Sequence, residues 1–295
     1  MAALQTLSPG RIQVNKKHIH IVGCLPRSGT TLLTELMITC FDIDGHTDHE
    51  YSIFKEYTRP YNILCTKKPS DIKRVDYPLE INPDLHVIYM LRDPRDAISS
   101  RSHRNNSRDK KIWGNLQEWI RHQEIADKLS ANPRFITVRY EDLVTAPDKV
   151  QDELLSRLPF LRIKENFSEF HKIARPSDKS AAALGGARPI SPSSIGNWRA
   201  HKPYIKAQIE QYGDISRTLI RLGYEQDVAW LNELADVIAD NSEEPSGKKS
   251  RLKEFWTQSF TQPRRRLLYR ISCSRLGPDI SRARHFLRQL APRRK

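Results

Sequence analysis

Two groups of residues in this sequence could handle an anion of the phosphate kind. The first is GCLPRSGTTL over residues 23–32, where Arg27, Ser28, Gly29, Thr30 and Thr31 are consecutive. A short apolar segment precedes it and a periodic one comes after, so the loop stands where a strand gives way to a helix. Backbone N–H groups at a helix start have no intrahelical partner and sit at the positive end of the dipole, so a loop there holds phosphate oxygens. The corresponding loop of ATPases and GTPases reads G-x-x-x-x-G-K-[ST]. Here Thr30 stands where the lysine would be, and five residues, one too many, separate Gly23 from Gly29. The lysine that reaches β- and γ-phosphates is missing, and Arg27 supplies a cation instead. The second group is RDPRDAISS over residues 92–100. Arg92 ends an apolar run, and Ser100 stands eight residues later. A guanidinium gives a bidentate fork to a phosphate, and a hydroxyl two helical turns on would add a donor.

Proton and charge chemistry could come from two further segments. GHTDHE over residues 45–50 crowds His46, Asp48, His49 and Glu50 together, without the i, i+4 pair of an HExxH site. No metal site is expected there. KKP over residues 67–69 places Lys67 and Lys68 at the end of a short strand.

The elements that must position these groups alternate. Residues 18–25, 62–66, 85–91 and 135–138 are short, apolar and β-branched, and read as strands. Helices are expected over 30–40, from Pro94 to about residue 103, over 112–129, 147–158, 203–222 and 227–239. Residues 174–197, rich in Gly, Ser, Pro and Ala, read as one long loop, and 241–250 as a linker. Strands alternating with helices predict an α/β fold: a mostly parallel sheet flanked by helices, a three-layer sandwich of the P-loop NTPase type with a basic C-terminal helical tail. The expected organisation is an N-terminal arm (1–17), a domain (18–240), the linker (241–250) and a basic amphipathic tail (251–295).

Charge is unevenly spread. The 295-residue chain carries +14, yet residues 248–295 hold 15 Lys and Arg against Glu254 and Asp279, which leaves about +1 for the rest. In the tail, Arg264, Arg265 and Arg266 precede Leu267, Leu268 and Tyr269. Farther on, Ile280, Ala283, Leu287 and Leu290 form an apolar helical face beside Arg282, Arg284 and Arg288. Such a segment lies on an anionic membrane, binds an acidic polymer or packs on a partner. With the basic excess outside the domain and no recognition motif, a specific nucleic-acid partner is not expected. No run of ~18 apolar residues predicts a membrane span, and residues 1–17 lack the apolar core of a secretory signal. Cys24, Cys40, Cys65 and Cys273 form no CxxC pair. The expected location is the cytoplasm, with peripheral membrane association through the tail.

With these motifs in place, the sequence resembles the family of sulfotransferases that use 3′-phosphoadenosine 5′-phosphosulfate (PAPS). PRSGTTL over 26–32 resembles the family's 5′-phosphosulfate loop, and Arg92 with Ser100 resembles its 3′-phosphate signature. RYEDL over 139–143, SIGNW over 194–198 and LGY over 222–224 are similar to the tyrosylprotein-type branch and its bacterial relatives. The resemblance spans about residues 18–225. It implies that Arg27, Ser28, Gly29, Thr30 and Thr31 hold the 5′-phosphosulfate, that Arg92 and Ser100 hold the 3′-phosphate, and that Tyr140 and Ser194 contact the nucleotide. Trp198 reads as a packing anchor. It further implies Glu50 as catalytic base, with His49 as the alternative. Lys67, with Lys68 as its alternative, would neutralise charge on the leaving oxygen beside Arg27. Position 69 is Pro, so the histidine base of the steroid and phenol branch is absent there. The implied donor is PAPS without a metal, and the implied acceptor a hydroxyl: on a glycan or lipid-linked sugar first, on a small alcohol or tyrosine otherwise. A P-loop kinase and an inactive membrane- or polyanion-binding module are the rival readings. The missing lysine and the Arg92/Ser100 pair weigh against the kinase.

Overall fold

The computed structural model describes residues 16–101, 112–242 and 262–274. Five parallel strands, β1 (Lys17–Gly23), β2 (Gly45–His46), β3 (Ile63–Lys67), β4 (Leu85–Leu91) and β5 (Phe135–Arg139), form one sheet in the order β2-β3-β1-β4-β5. The α/β fold with helices flanking a parallel sheet is the one the alternating pattern predicts. β1 pairs with β3 on one side and β4 on the other, so its loop emerges at the centre of the sheet.

Period-two alternation divides the core. Leu85, Val87, Tyr89 and Leu91 of β4 face one apolar cluster, while Ile88 and Met90 face the other with Ile19 and Ile21 of β1. Helix α1 (Thr30–Cys40) covers the second face through Leu33, Leu36, Met37 and Cys40. After α2 (Asp76–Ile81) and α3 (Pro94–Ser99), α4 (Leu116–Leu129) covers the first through Leu116, Trp119 and Ala126. Both faces are buried, as a parallel sheet requires. α5 (Tyr140–Thr145), α6 (Pro147–Arg157) and α7 (Phe170–Ile173) continue the second layer. After α8 (Asp178–Leu184), α9 (Lys202–Tyr212) and α10 (Ser216–Arg221) add to the first.

Five expected elements differ. The helix from Pro94 stops at Ser99, and Ser100 is already extended (φ −67°, ψ 121°), so Ser100 is not a helical residue. Ser99 turns its hydroxyl back to the Arg95 carbonyl at 2.7 Å, a bond that competes with helix continuation. The expected loop 174–197 contains α8, capped at its start by Ser177 and ended by Gly185 at φ +72°. The expected helix 203–222 is two helices, α9 and α10, because Gly213 at φ +100° ends the first. The expected helix 227–239 is a 3-10 turn, Ala229–Leu234. The helix expected from residue 112 begins at Leu116, where Asn115 caps it.

Of the basic tail, α11 (Gln262–Ser272) lies among the described residues, and the apolar face formed by Ile280, Ala283, Leu287 and Leu290 lies outside them, as do residues 1–15 of the N-terminal arm and most of the linker. α11 packs on the domain. Tyr269 is buried, accepts from Asn82 Nδ2 at 3.1 Å and meets the Phe54 ring edge-on at 5.6 Å. Arg266 pairs with Asp76 at 3.1 Å. No helix among the described residues is long and apolar enough to cross a membrane.

Candidate active site

The site lies at the carboxyl ends of β1, β3, β4 and β5, where open α/β sheets place ligands. The loop after β1 is held by two unusual backbone positions. Gly29, the residue before α1, has φ +93°, and a Cβ there would stand 2.4 Å from the Tyr140 ring. Arg27 has φ +75°, the one positive value outside glycine among the described residues. The turn thus brings the α1 amino end and the Arg27 side chain to the same opening.

Arg92 comes directly after β4 and is buried. Its Nη1 donates to the Arg27 carbonyl at 2.8 Å, its Nη2 donates to the Ser194 carbonyl at 3.2 Å, and its guanidinium lies 4.3 Å over the Tyr140 ring. Its Nε is buried without a protein partner. The Tyr140 hydroxyl and Ser194 Oγ are 2.6 Å apart. Arg27 Nε reaches Ser100 Oγ at 3.5 Å. Neither arginine pairs with a carboxylate among the described residues. Burial, and next the neighbouring Arg92 charge, lower the Arg27 pKa from its ordinary value. Two adjacent cations, one buried and one half-buried, favour an anion beside them.

Carboxylates near Arg92 are used elsewhere. Asp93 caps α3 through the Arg95 amide and pairs with the Arg95 guanidinium at 2.7 Å. Asp96 accepts from the amides of Gly196 at 2.7 Å and Trp198 at 2.8 Å. Glu141 accepts from the Asp93 amide at 2.9 Å and the Tyr224 hydroxyl at 3.2 Å. Asp96 and Glu141 are therefore braces for the Ser194 and Arg92 segments, which sequence reasoning missed. Trp198 is a buried anchor, with Arg95 stacked 4.5 Å from its ring and 4.8 Å from that of Trp230.

Lys67 ends β3 and is buried. Its Nζ donates to Thr31 Oγ1 at 2.5 Å, in the first turn of α1. Burial depresses its pKa to about 8, while the charges of Glu50 and then Glu35 oppose that shift. Lys68 is instead directed toward Asp71, 4.0 Å away.

Arg27, Gly29, Thr30, Thr31, Glu50, His49, Lys67, Arg92, Ser100, Tyr140 and Ser194 all line one cleft of about 1110 Å³, which also has Asp48 on its wall. Of the residues expected to hold the donor, only Ser28 is off that wall. It is fully buried, and its unpartnered hydroxyl occupies the space a Cβ at Gly23 would need, 2.2 Å away. Among the described residues no group of three or more His, Cys, Asp or Glu could hold a metal ion.

This arrangement suits group transfer from a nucleotide. A model described as the sulfotransferase family matches residues 39–159. Protein-tyrosine sulfotransferase 1 of Danio rerio is 27% identical over 285 residues, covering 75% of this chain and 76% of its own. A sulfotransferase domain from the curacin biosynthetic pathway is 18% identical, covers 71% of this chain and 98% of its own, and has a TM-score of 0.47. A mouse sulfotransferase complexed with PAP is 16% identical, covers 70% and 89%, and has a TM-score of 0.39. The chain is thus similar in sequence to sulfotransferases, enzymes that transfer a sulfuryl group and the family its motifs resemble.

Proposed function

We propose that this enzyme transfers a sulfuryl group from PAPS to a hydroxyl of its acceptor. The carrying observation is the pair of guanidiniums, buried Arg92 and half-buried Arg27, beside the amino end of α1 with no carboxylate partner among the described residues. Arg92, with its free Nε, and Ser100 take the 3′-phosphate. Arg27, Thr30, Thr31 and the backbone of Ser28 and Gly29 take the 5′-phosphosulfate. Tyr140 and Ser194, tied to each other, flank the nucleotide.

In the transfer, Glu50 accepts the proton of the acceptor hydroxyl as its oxygen attacks sulfur in line. His49 is the alternative base on the same wall. Lys67, held by Thr31, stabilises charge on the phosphate oxygen released as the sulfur–oxygen bond breaks. The chain's contribution is positioning and charge, the needs shared with phosphoryl transfer.

A glycan or lipid-linked sugar is the favoured acceptor. The cleft exceeds the ~300–1,000 Å³ of an ordinary ligand pocket. Trp113, 41% exposed, lines it and offers an aromatic surface for a sugar ring. A tyrosine hydroxyl is the second reading, favoured by the likeness to the Danio rerio enzyme. The basic segment 251–295 would bring the enzyme to an anionic membrane surface from the cytoplasm, where the four free thiols are at home.

Calorimetry with 3′,5′-bisphosphoadenosine, AMP and ATP tests the donor site. The bisphosphate should bind at least tenfold more tightly than AMP, and Arg92→Ala should abolish that preference. A preference for ATP would replace this reading with a kinase.

A further inference from the structure

The residues flanking the cleft on the β3 side depend on one buried carboxylate that lies outside it. Asp71, fully buried in the 3-10 turn Pro69–Arg74, directs Oδ2 to the amide of Ile53, which donates at 2.8 Å. His20 Nε2 of β1 is 3.5 Å from the same oxygen, and Arg74 Nη1 is 3.6 Å from the other. His20 in turn contacts the Thr66 hydroxyl of β3 at 2.8 Å, and that hydroxyl meets His18 at 2.7 Å. Asp71 is thus fixed to both central strands.

The segment it holds carries the base. Residues 47–50 have no regular structure, and Asp48, His49 and Glu50 are exposed. Residues 51–53 set their place. The Tyr51 amide donates to the Lys67 carbonyl at 2.8 Å, the Ile53 amide donates to Asp71, and the Ile53 side chain is buried. Two backbone pins in three residues therefore fix Glu50 relative to Lys67, and only the Asp71 pin uses a side chain.

We infer that Asp71 is a positioning residue for sulfuryl transfer, holding Glu50 in register with Lys67 at the reacting centre. The inference rests on the proposed role of Glu50. Asp71 touches neither donor nor acceptor; it acts through the 50–53 backbone. A displacement of about 1 Å at a reacting group can cost about 10²-fold in rate, and Asp71 provides the restraint against it.

Asp71→Ala, Asp71→Asn, Glu50→Gln and the double variant Asp71→Ala/Glu50→Gln are compared in one assay, with labelled PAPS and the best acceptor of a hydroxyl screen. The asparagine keeps an oxygen that can accept from Ile53. Asp71→Ala should lower kcat tenfold to a hundredfold and leave affinity for 3′,5′-bisphosphoadenosine within twofold, and Asp71→Asn should recover most of the loss. Added to Glu50→Gln, Asp71→Ala should cost less than twofold more, because the group it positions is already gone. Wild-type kcat in Asp71→Ala, or a full further loss in the double variant, overturns the inference while Glu50 stands. Loss of nucleotide affinity in both Asp71 variants also overturns it, as damage to the whole fold. Wild-type kcat in Glu50→Gln overturns the role of Glu50, and the inference with it.

Discussion

Lys67 is where residue chemistry has the sharpest pH consequence. Burial lowers its pKa to about 8 from an ordinary 10.5. The role proposed for it needs the charged form, so kcat should fall as pH rises above about 8. Stability runs the other way. Between about pH 8 and 10.5 the unfolded chain binds more protons at this lysine than the folded one, so its contribution to stability rises with pH across that window. Below pH 8 both states are protonated, and the cost of burying the charge is fully present. Lys67→Met should remove both dependences and lower kcat about 10²–10³-fold, the scale of losing one donor to a developing charge. Rate profiles and thermal melts at pH 7.5 and 9.5 check both signs. At this scale the residues expected to hold the donor, Arg27 to Thr31 and Arg92, could be picked out because neighbouring residues spell them, and all but Ser28 line the cleft. It left Lys67 and Lys68 open, because only the packing of β3 against α1 brings one of them to Thr31. Asp71, Asp96 and Glu141 were not legible. Their partners are mostly backbone amides, which carry no side-chain signature and lie as far as 100 residues away.

Between elements, the contact of α3 with the segment 194–198 decides how Arg92 is seated. Asp96 on α3 accepts from two amides of that segment, and the segment's Ser194 carbonyl then accepts from Arg92. Asp96→Ala would leave the Gly196 and Trp198 amides unpaired and free the segment. A hydrogen bond to a charged group contributes about 1.5–3 kcal/mol, so the variant should lose about 3 kcal/mol of stability. It should bind 3′,5′-bisphosphoadenosine about tenfold more weakly; denaturant melts and calorimetry read the two effects. Element boundaries were legible where a helix begins on proline, as α3 and α6 do, and where a strand is a continuous apolar run, as β4 is. α8 was lost in a segment whose composition suggests a loop. Yet its Ser177 cap and terminal Gly185 were there to be read. β2 has two residues, too short for any periodicity to show.

For the whole molecule, α11, the described helix of the strongly basic C-terminal segment, is also part of the fold. α11 buries Tyr269 against Phe54 and Asn82, and fully burying a large apolar side chain contributes about 1.5–3 kcal/mol. Removing residues 248–295 should therefore lower Tm by about 5 °C, given ~2–4 °C per kcal/mol for a chain of this size. The same truncation should abolish binding to vesicles containing phosphatidylserine. Arg264, Leu267 and Arg270 face solvent on α11, whereas Tyr269 does not. Tyr269→Ala should therefore reproduce the change in Tm and keep the vesicle binding. The sequence showed the charge of this segment and its amphipathic spacing. Its docking side depends on Phe54, Asp76 and Asn82, about 190 to 215 residues distant.

The left-handed backbone at Arg27 sets a price on the enzyme's durability. A non-glycine residue held there costs about 1–3 kcal/mol, and its charge stands beside that of Arg92 with no carboxylate partner among the described residues. Glycine would relieve both costs at once and take a cation from the proposed anion site. A directed-evolution campaign scored on heat resistance alone would drift toward hardy, inert proteins at this position, so durability and turnover have to be selected together.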